Sequence, residues 1–188
     1  EKLQPVEVIQ DERGTLYDFG RETFARVFLE MENQPELTVC FGESETEARA
    51  VSDCPLIETV PAGTVSIQFP ARAFRYVFVP GQAKLCLRVE YERTPLKRRG
   101  RFSCSDRLLT DIWNTAAYTF ELNSREFFLD GIKRDRWVWS GDAYQSYFVN
   151  RVLYMDRELC RRTIWALRGK DPIEQHINTI LDYSLYWV

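Results

Sequence analysis

The chain has 188 residues, 45% hydrophobic, 14% aromatic and 28% charged, with a formal net charge of −3. That is a globular mixture, long enough for one or two domains, with a rich aromatic share. The charge gives no general pull toward nucleic acid or anionic membrane, and no apolar run approaches the ~20 residues of a membrane span; neither partner is expected.

Residues 1–93 read as β. Apolar positions alternate in Phe24–Leu29, Leu37–Phe41, Val65–Phe69, Tyr76–Phe78 and Leu85–Tyr91, and turn residues at Gly14, Gly42, Pro61-Ala-Gly63 and Pro80-Gly81 separate these runs. Short period-two strands with regular turns predict an antiparallel sandwich of jelly-roll type. In Arg72-Ala-Phe74-Arg75-Tyr76, the aromatics could meet carbohydrate. The plainer reading places Phe74, Tyr76 and Phe78 on one inward face and leaves the arginines in solvent.

Residues 94–101 form the predicted linker. Pro95 ends the strand pattern, Gly100 frees the backbone, and the basic run between them reads as a solvated hinge.

From residue 102 the period changes. A helix capped by Ser103 or Ser105 carries Leu108, Leu109, Ile112, Trp113, Ala116, Ala117 and Phe120 as a broad stripe, predicted to be buried, and stops at Asn123-Ser124. Ser140 caps a second helix, with Asp142 in its first turn and Tyr144, Tyr147, Phe148 and Val152 on its buried side. A third helix starts at Asp156, uses Leu159, Cys160, Thr163, Ile164 and Leu167, and stops at Gly169. A fourth runs from about Ile177 to Val188. These stripes call for more helical partners than the chain offers, so it reads as an excerpt of a longer protein whose remainder is its first partner.

The loop between the first two helices holds the chemistry. From Glu126 to Asp142 it carries four carboxylates, three basic side chains and two tryptophans in seventeen residues. A core does not accept unpaired carboxylates, and a plain surface loop does not usually expose two tryptophans. Together they suit a sugar site: Arg and Asp bind hydroxyls, an indole stacks on the ring, and a carboxylic acid can protonate a glycosidic oxygen. The bland alternative is a salt-bridged connection between helices, with Glu126 paired to Arg125 or Lys133.

This loop resembles the signature of the bacterial α-L-rhamnosidases of glycoside hydrolase family 78. That signature runs Asp-Cys-Pro-Gln-Arg-(Asp)-Glu-Arg, then two residues, then Trp-x-Gly-Asp. The matching positions are Asp130, Arg134, Asp135, Arg136, Trp139, Gly141 and Asp142. Gly131-Ile132-Lys133 replaces Cys-Pro-Gln, and Asp135 replaces the usual Glu, one methylene shorter. The resemblance implies that Asp135 is the catalytic general acid and that Asp130, Arg134, Trp139 and Asp142 hold the rhamnose. It also implies an inverting mechanism whose general base lies beyond Val188. The implied architecture is multidomain, β then α. A β-sandwich accessory domain over 1–93, with a Tyr17-Asp-Phe-Gly20 motif of the family's kind, precedes residues 102–188 as the incomplete start of an (α/α)6 barrel catalytic domain. The implied partner is a carbohydrate substrate. The Asp-for-Glu exchange keeps open a non-catalytic sugar-binding module, or a related hydrolase of different sugar specificity.

Other constellations are weak. Cys40, Cys54, Cys86, Cys104 and Cys160 form no Cys-x-x-Cys pair and read as reduced core thiols. His176 is the single histidine and a peripheral candidate only. With no phosphate loop and no metal-ligand cluster, no cofactor is expected.

Overall fold

The computed structural model describes residues 1–32, 34–168 and 180–187. The chain divides into two compact units, Glu1–Glu92 and Arg93–Val188.

The first unit holds eight strands in one antiparallel sheet: β1 (Lys2–Leu3), β2 (Glu7–Asp11), β3 (Gly14–Met31), β4 (Leu37–Gly42), β5 (Ile57–Val60), β6 (Ser66–Gln68), β7 (Arg72–Pro80) and β8 (Leu85–Tyr91). The main path runs β1-β8-β3-β7-β4-β5, with β2 and β6 also paired to β3. Four of the alternating runs in the sequence fall within β3, β4, β7 and β8, and β6 takes the middle three residues of the fifth, Val65–Phe69.

The long β3 organises the sheet. Its first part lies between β2 and β7, and its later part pairs with β8 and β6. Between Asp18 and Thr23 the register with β7 shifts. Such an irregularity bends a strand, letting one strand serve both halves of a folded sheet. The Tyr17–Gly20 motif sits at this bend. Gly20 takes φ 79°, in the left-handed region that favours glycine. Asp18 Oδ1 accepts the Gly20 N–H at 2.6 Å. Arg75 then closes on the same carboxylate, donating from Nε and Nη2 at 2.9 Å each. The motif is therefore a bend with its own counter-ion.

The bend also divides the β7 aromatics. Phe74 enters the larger core with Phe19, Phe41, Val77 and Val89, whereas Phe78 joins Leu16, Cys40, Ala48 and Cys54 on the opposite side, with Tyr76 beside it. The single inward face expected for Phe74, Tyr76 and Phe78 is thus two faces. Nor are the arginines solvated: Arg72 pairs with Glu58, and Arg75 with Asp18. A short helix, α1 (Glu45–Ala48), capped by Ser44, covers the second cluster through Ala48. No helix was expected in this half, because four residues are too few to show a period.

The second unit contains α2 (Arg107–Asn123), α3 (Ser140–Leu153), α4 (Arg157–Arg168) and α5 (Tyr183–Trp187). Asp106 caps α2 by accepting the Leu108 N–H at 2.8 Å, in place of either expected serine. Trp139 is the N-cap residue of α3, and Ser140 is its first helical residue. Its hydroxyl serves elsewhere. Asp156 Oδ1 accepts the Leu159 N–H at 2.8 Å ahead of α4. Of the fourth predicted helix, Tyr183–Trp187 is helical among the described residues. Gly169, the expected stop of α4, and His176 lie outside them.

The buried stripes differ from expectation. On α2 only Ala117 and Leu122 are buried, while Leu108, Leu109 and Ile112 are exposed. On α3, Ser140, Ala143, Asn150 and Leu153 are buried, and Tyr144, Phe148 and Val152 are exposed. α4 follows expectation at Leu159, Thr163 and Leu167, but Ile164 is exposed. The expected solvated hinge is docked: Arg99 N and Gly100 N both donate to Leu153 O, at 2.7 and 3.0 Å. This satisfies a carbonyl that the end of α3 leaves without an intrahelical partner. Of the thiols, Cys40 and Cys54 are buried as expected, and burial pushes Cys40 up to about 12. Cys86 and Cys104 are exposed instead.

Candidate active site

The loop from Ser124 to Trp139 is irregular and anchored at its start. Phe128 is buried against Phe120 and Tyr147, with ring centroids 5.5 and 5.9 Å away. Its N–H donates to Thr163 Oγ1 at 3.1 Å, and the same hydroxyl donates to Leu159 O at 2.9 Å within α4. Arg162 Nε, also from α4, donates to Glu126 O at 2.9 Å. Helix α4 therefore holds the entry to the loop, and buried Ile132 secures its middle.

Asp130 follows this anchor. Its N–H donates to Trp137 O at 3.1 Å, and its Oδ1 accepts the Trp137 N–H at 2.9 Å. This two-way clasp closes the segment 130–137 on itself. Inside it, Arg134, Asp135 and Arg136 are all exposed. Arg136 has φ 51°, an uncommon conformation for a side-chain-bearing residue and a form of strain found at functional sites. Trp137 is exposed, and Trp139 is half-buried.

Asp142 stands in the first turn of α3, where the helix dipole favours a carboxylate. With Asp130 it lines an open cleft of about 1210 Å³ between α2 and α3, walled by Ile112, Ala116, Phe148 and Val152. The structure thus brings Asp130, Gly141 and Asp142 to one cavity. Arg134, Asp135 and Trp139 do not line it. They lie on the loop beside it.

One residue at the site was missed by sequence reasoning. Tyr183 also lines the cleft, and its hydroxyl donates to Asp142 Oδ2 at 3.5 Å. The Asp142 charge raises the phenol above its ordinary value, with burial adding to the effect, so it stays a donor. Ser140 Oγ donates to Tyr183 O at 2.6 Å, and the ring meets Trp139 edge-on at 6.2 Å. Tyr183 lies forty-one positions beyond Asp142 in a run of aromatics, and no local pattern separates it from a packing residue.

Among the described residues no group of three or more His, Cys, Asp or Glu side chains could hold a metal ion. None of their helices is long and apolar enough to cross a membrane.

The described residues thus form an antiparallel sheet followed by helices, with acidic residues on the loop between the first two long helices. Residues 97–176 match the bacterial alpha-L-rhamnosidase 6 hairpin glycosidase domain. Among solved structures, a rhamnosidase from Klebsiella oxytoca with rhamnose bound is 21% identical, with TM-score 0.67 over 97% of this chain and 44% of that one. A family 78 rhamnosidase of Bacillus sp. GL1 is also 21% identical, with TM-score 0.68 over 97% of this chain and 22% of that one. An α-L-rhamnosidase of Streptomyces avermitilis complexed with L-rhamnose is 15% identical, with TM-score 0.67 over 89% of this chain and 18% of that one. No curated protein matches the sequence. Residues 97–176 are thus similar to an α-L-rhamnosidase catalytic domain, and the chain, which shares the fold of these rhamnosidases, spans less than half the length of these structures.

Proposed function

We propose that the full-length protein is an inverting glycoside hydrolase that removes terminal α-L-rhamnose from glycans or glycosides. Residues 1–93 serve as an accessory β domain, 94–101 join it to the catalytic domain, and 102–188 open an (α/α)6 barrel. Asp135 is the general acid. Asp130, Arg134, Trp139 and Asp142 hold the sugar. The general base is carried by the remainder of the same polypeptide, beyond Val188.

The observation that carries the reading is the meeting of Asp130 and Asp142 in one cleft, although the irregular chain of residues 131–139 separates Asp130 from the start of α3. Two carboxylates at a cavity wall can accept hydroxyl hydrogen bonds from a sugar, and charge-assisted bonds of this kind are strong and directional. Asp135 lies on the same clasped loop, exposed between two arginines. A carboxylic acid there protonates the leaving oxygen while the base activates water on the other face, across a gap of roughly 6.5–9.5 Å.

Asp135→Asn in the full-length protein should cut release of rhamnose from an α-L-rhamnoside with a poor leaving group by more than ~100-fold, the scale of general-acid catalysis. Near-normal turnover would remove Asp135 from the role. The exchange of the usual Glu for Asp favours a second reading, in which the protein binds the sugar without cleaving it. Release of free rhamnose by the unsubstituted protein excludes that reading. The first-formed anomer, read by NMR, tests inversion.

A further inference from the structure

We infer that Tyr183 is a positioning residue of the sugar site, holding the Asp142 carboxylate in the orientation that receives the substrate. The inference rests on the hydrolase reading above and adds to it a residue outside the loop signature.

Four contacts converge on this residue. The phenol donates to Asp142 Oδ2 at 3.5 Å. The ring stands edge-on to Trp139 at 6.2 Å. The backbone carbonyl accepts the Ser140 hydroxyl at 2.6 Å. The ring also lies over Gly141, where an added Cβ would come within 2.7 Å of it. Three consecutive positions at the head of α3, together with Asp142 itself, are therefore fitted to one tyrosine. Gly141 is glycine because the ring occupies the space a side chain would take. A carboxylate at a helix start is free to rotate about its χ angles. A phenol donating to one oxygen selects one orientation and leaves the other oxygen as the acceptor for a ring hydroxyl. The ring adds an apolar wall beside Trp139, as sugar faces require.

The test uses the full-length protein with Tyr183→Phe, Tyr183→Ala, Gly141→Ala and the Gly141→Ala/Tyr183→Ala pair. Tyr183→Phe keeps the ring and removes the hydrogen bond to a charge, so it should raise KM about tenfold with kcat changed far less. Gly141→Ala should raise KM in the parent but add little once Tyr183 is alanine, because the clashing ring is gone. If Tyr183→Phe leaves KM unaltered, or if the Gly141 and Tyr183 effects simply add, the inference is overturned while the hydrolase reading stands. If the unsubstituted protein releases no rhamnose, the hydrolase reading fails and this inference fails with it.

Discussion

Asp18 is 9% exposed at the bend of β3, yet its carboxylate oxygens accept from Arg75 and from the Gly20 N–H. The hydrogen bonds from Arg75, opposed in part by burial, hold its carboxyl below its ordinary value of 3.8. A group depressed in the folded state stabilises the fold above its unfolded value, and that contribution is lost as pH falls through the folded value. Asp18→Asn should therefore cost about 1.5–3 kcal/mol at neutral pH, the net worth of a hydrogen bond to a charged partner. The gap between parent and variant should begin to narrow as pH drops below about 4, where the unfolded carboxylate protonates, and close once pH is below the depressed folded value. Denaturant unfolding across that range measures it, and a constant gap at every pH would show that the ion pair contributes nothing. Asp18 and Arg75 are fifty-seven residues apart, so their pairing was not legible in the sequence. The turn chemistry of Asp18-Phe-Gly20 was.

At the scale of elements, the helices come from local rules and their orientation from their neighbours. The period of α2 is visible in the sequence, and so is its end at Ser124. Which face is covered depends on what packs against it, and much of the stripe lines the cleft instead. The segment before α2 makes the same point. Its Pro and Gly suggest a free hinge, but Gly100 is there because an added Cβ would meet Val152 O at 2.3 Å. Gly100→Ala should therefore force the segment off the end of α3 and destabilise the helical unit by about 1–3 kcal/mol, the usual cost of overpacking. Gly131→Ala, where nothing lies within 4 Å of an added Cβ, is the control and should leave thermal unfolding unchanged. Equal melting temperatures for the two variants would contradict the docked geometry.

At the scale of the whole molecule, the helical unit shows water an unusual share of large apolar side chains. Leu108 is 66% exposed, Ile112 54%, Phe148 53% and Val152 56%. Contiguous apolar surface of this kind marks a ligand groove, an interface or an aggregation site. The 188-residue chain, prepared alone, should bind a hydrophobic dye and self-associate with rising concentration. Ile112→Lys with Phe148→Lys should reduce both effects. Sedimentation and dye fluorescence measure this, and a dye-silent monomer would contradict it.

The sequence by itself determined the order β then α, the strand runs, the helix periods and the signature loop from Asp130 to Asp142. Each is written in neighbouring residues through alternation, capping and spacing, and is readable without knowing what lies opposite. Only the tertiary structure decided that β3 bends about a part-buried ion pair, that α4 anchors the loop through Thr163, and that Tyr183 meets Asp142. Those contacts join residues tens of positions apart, and it is packing of the whole chain, not local propensity, that brings them together.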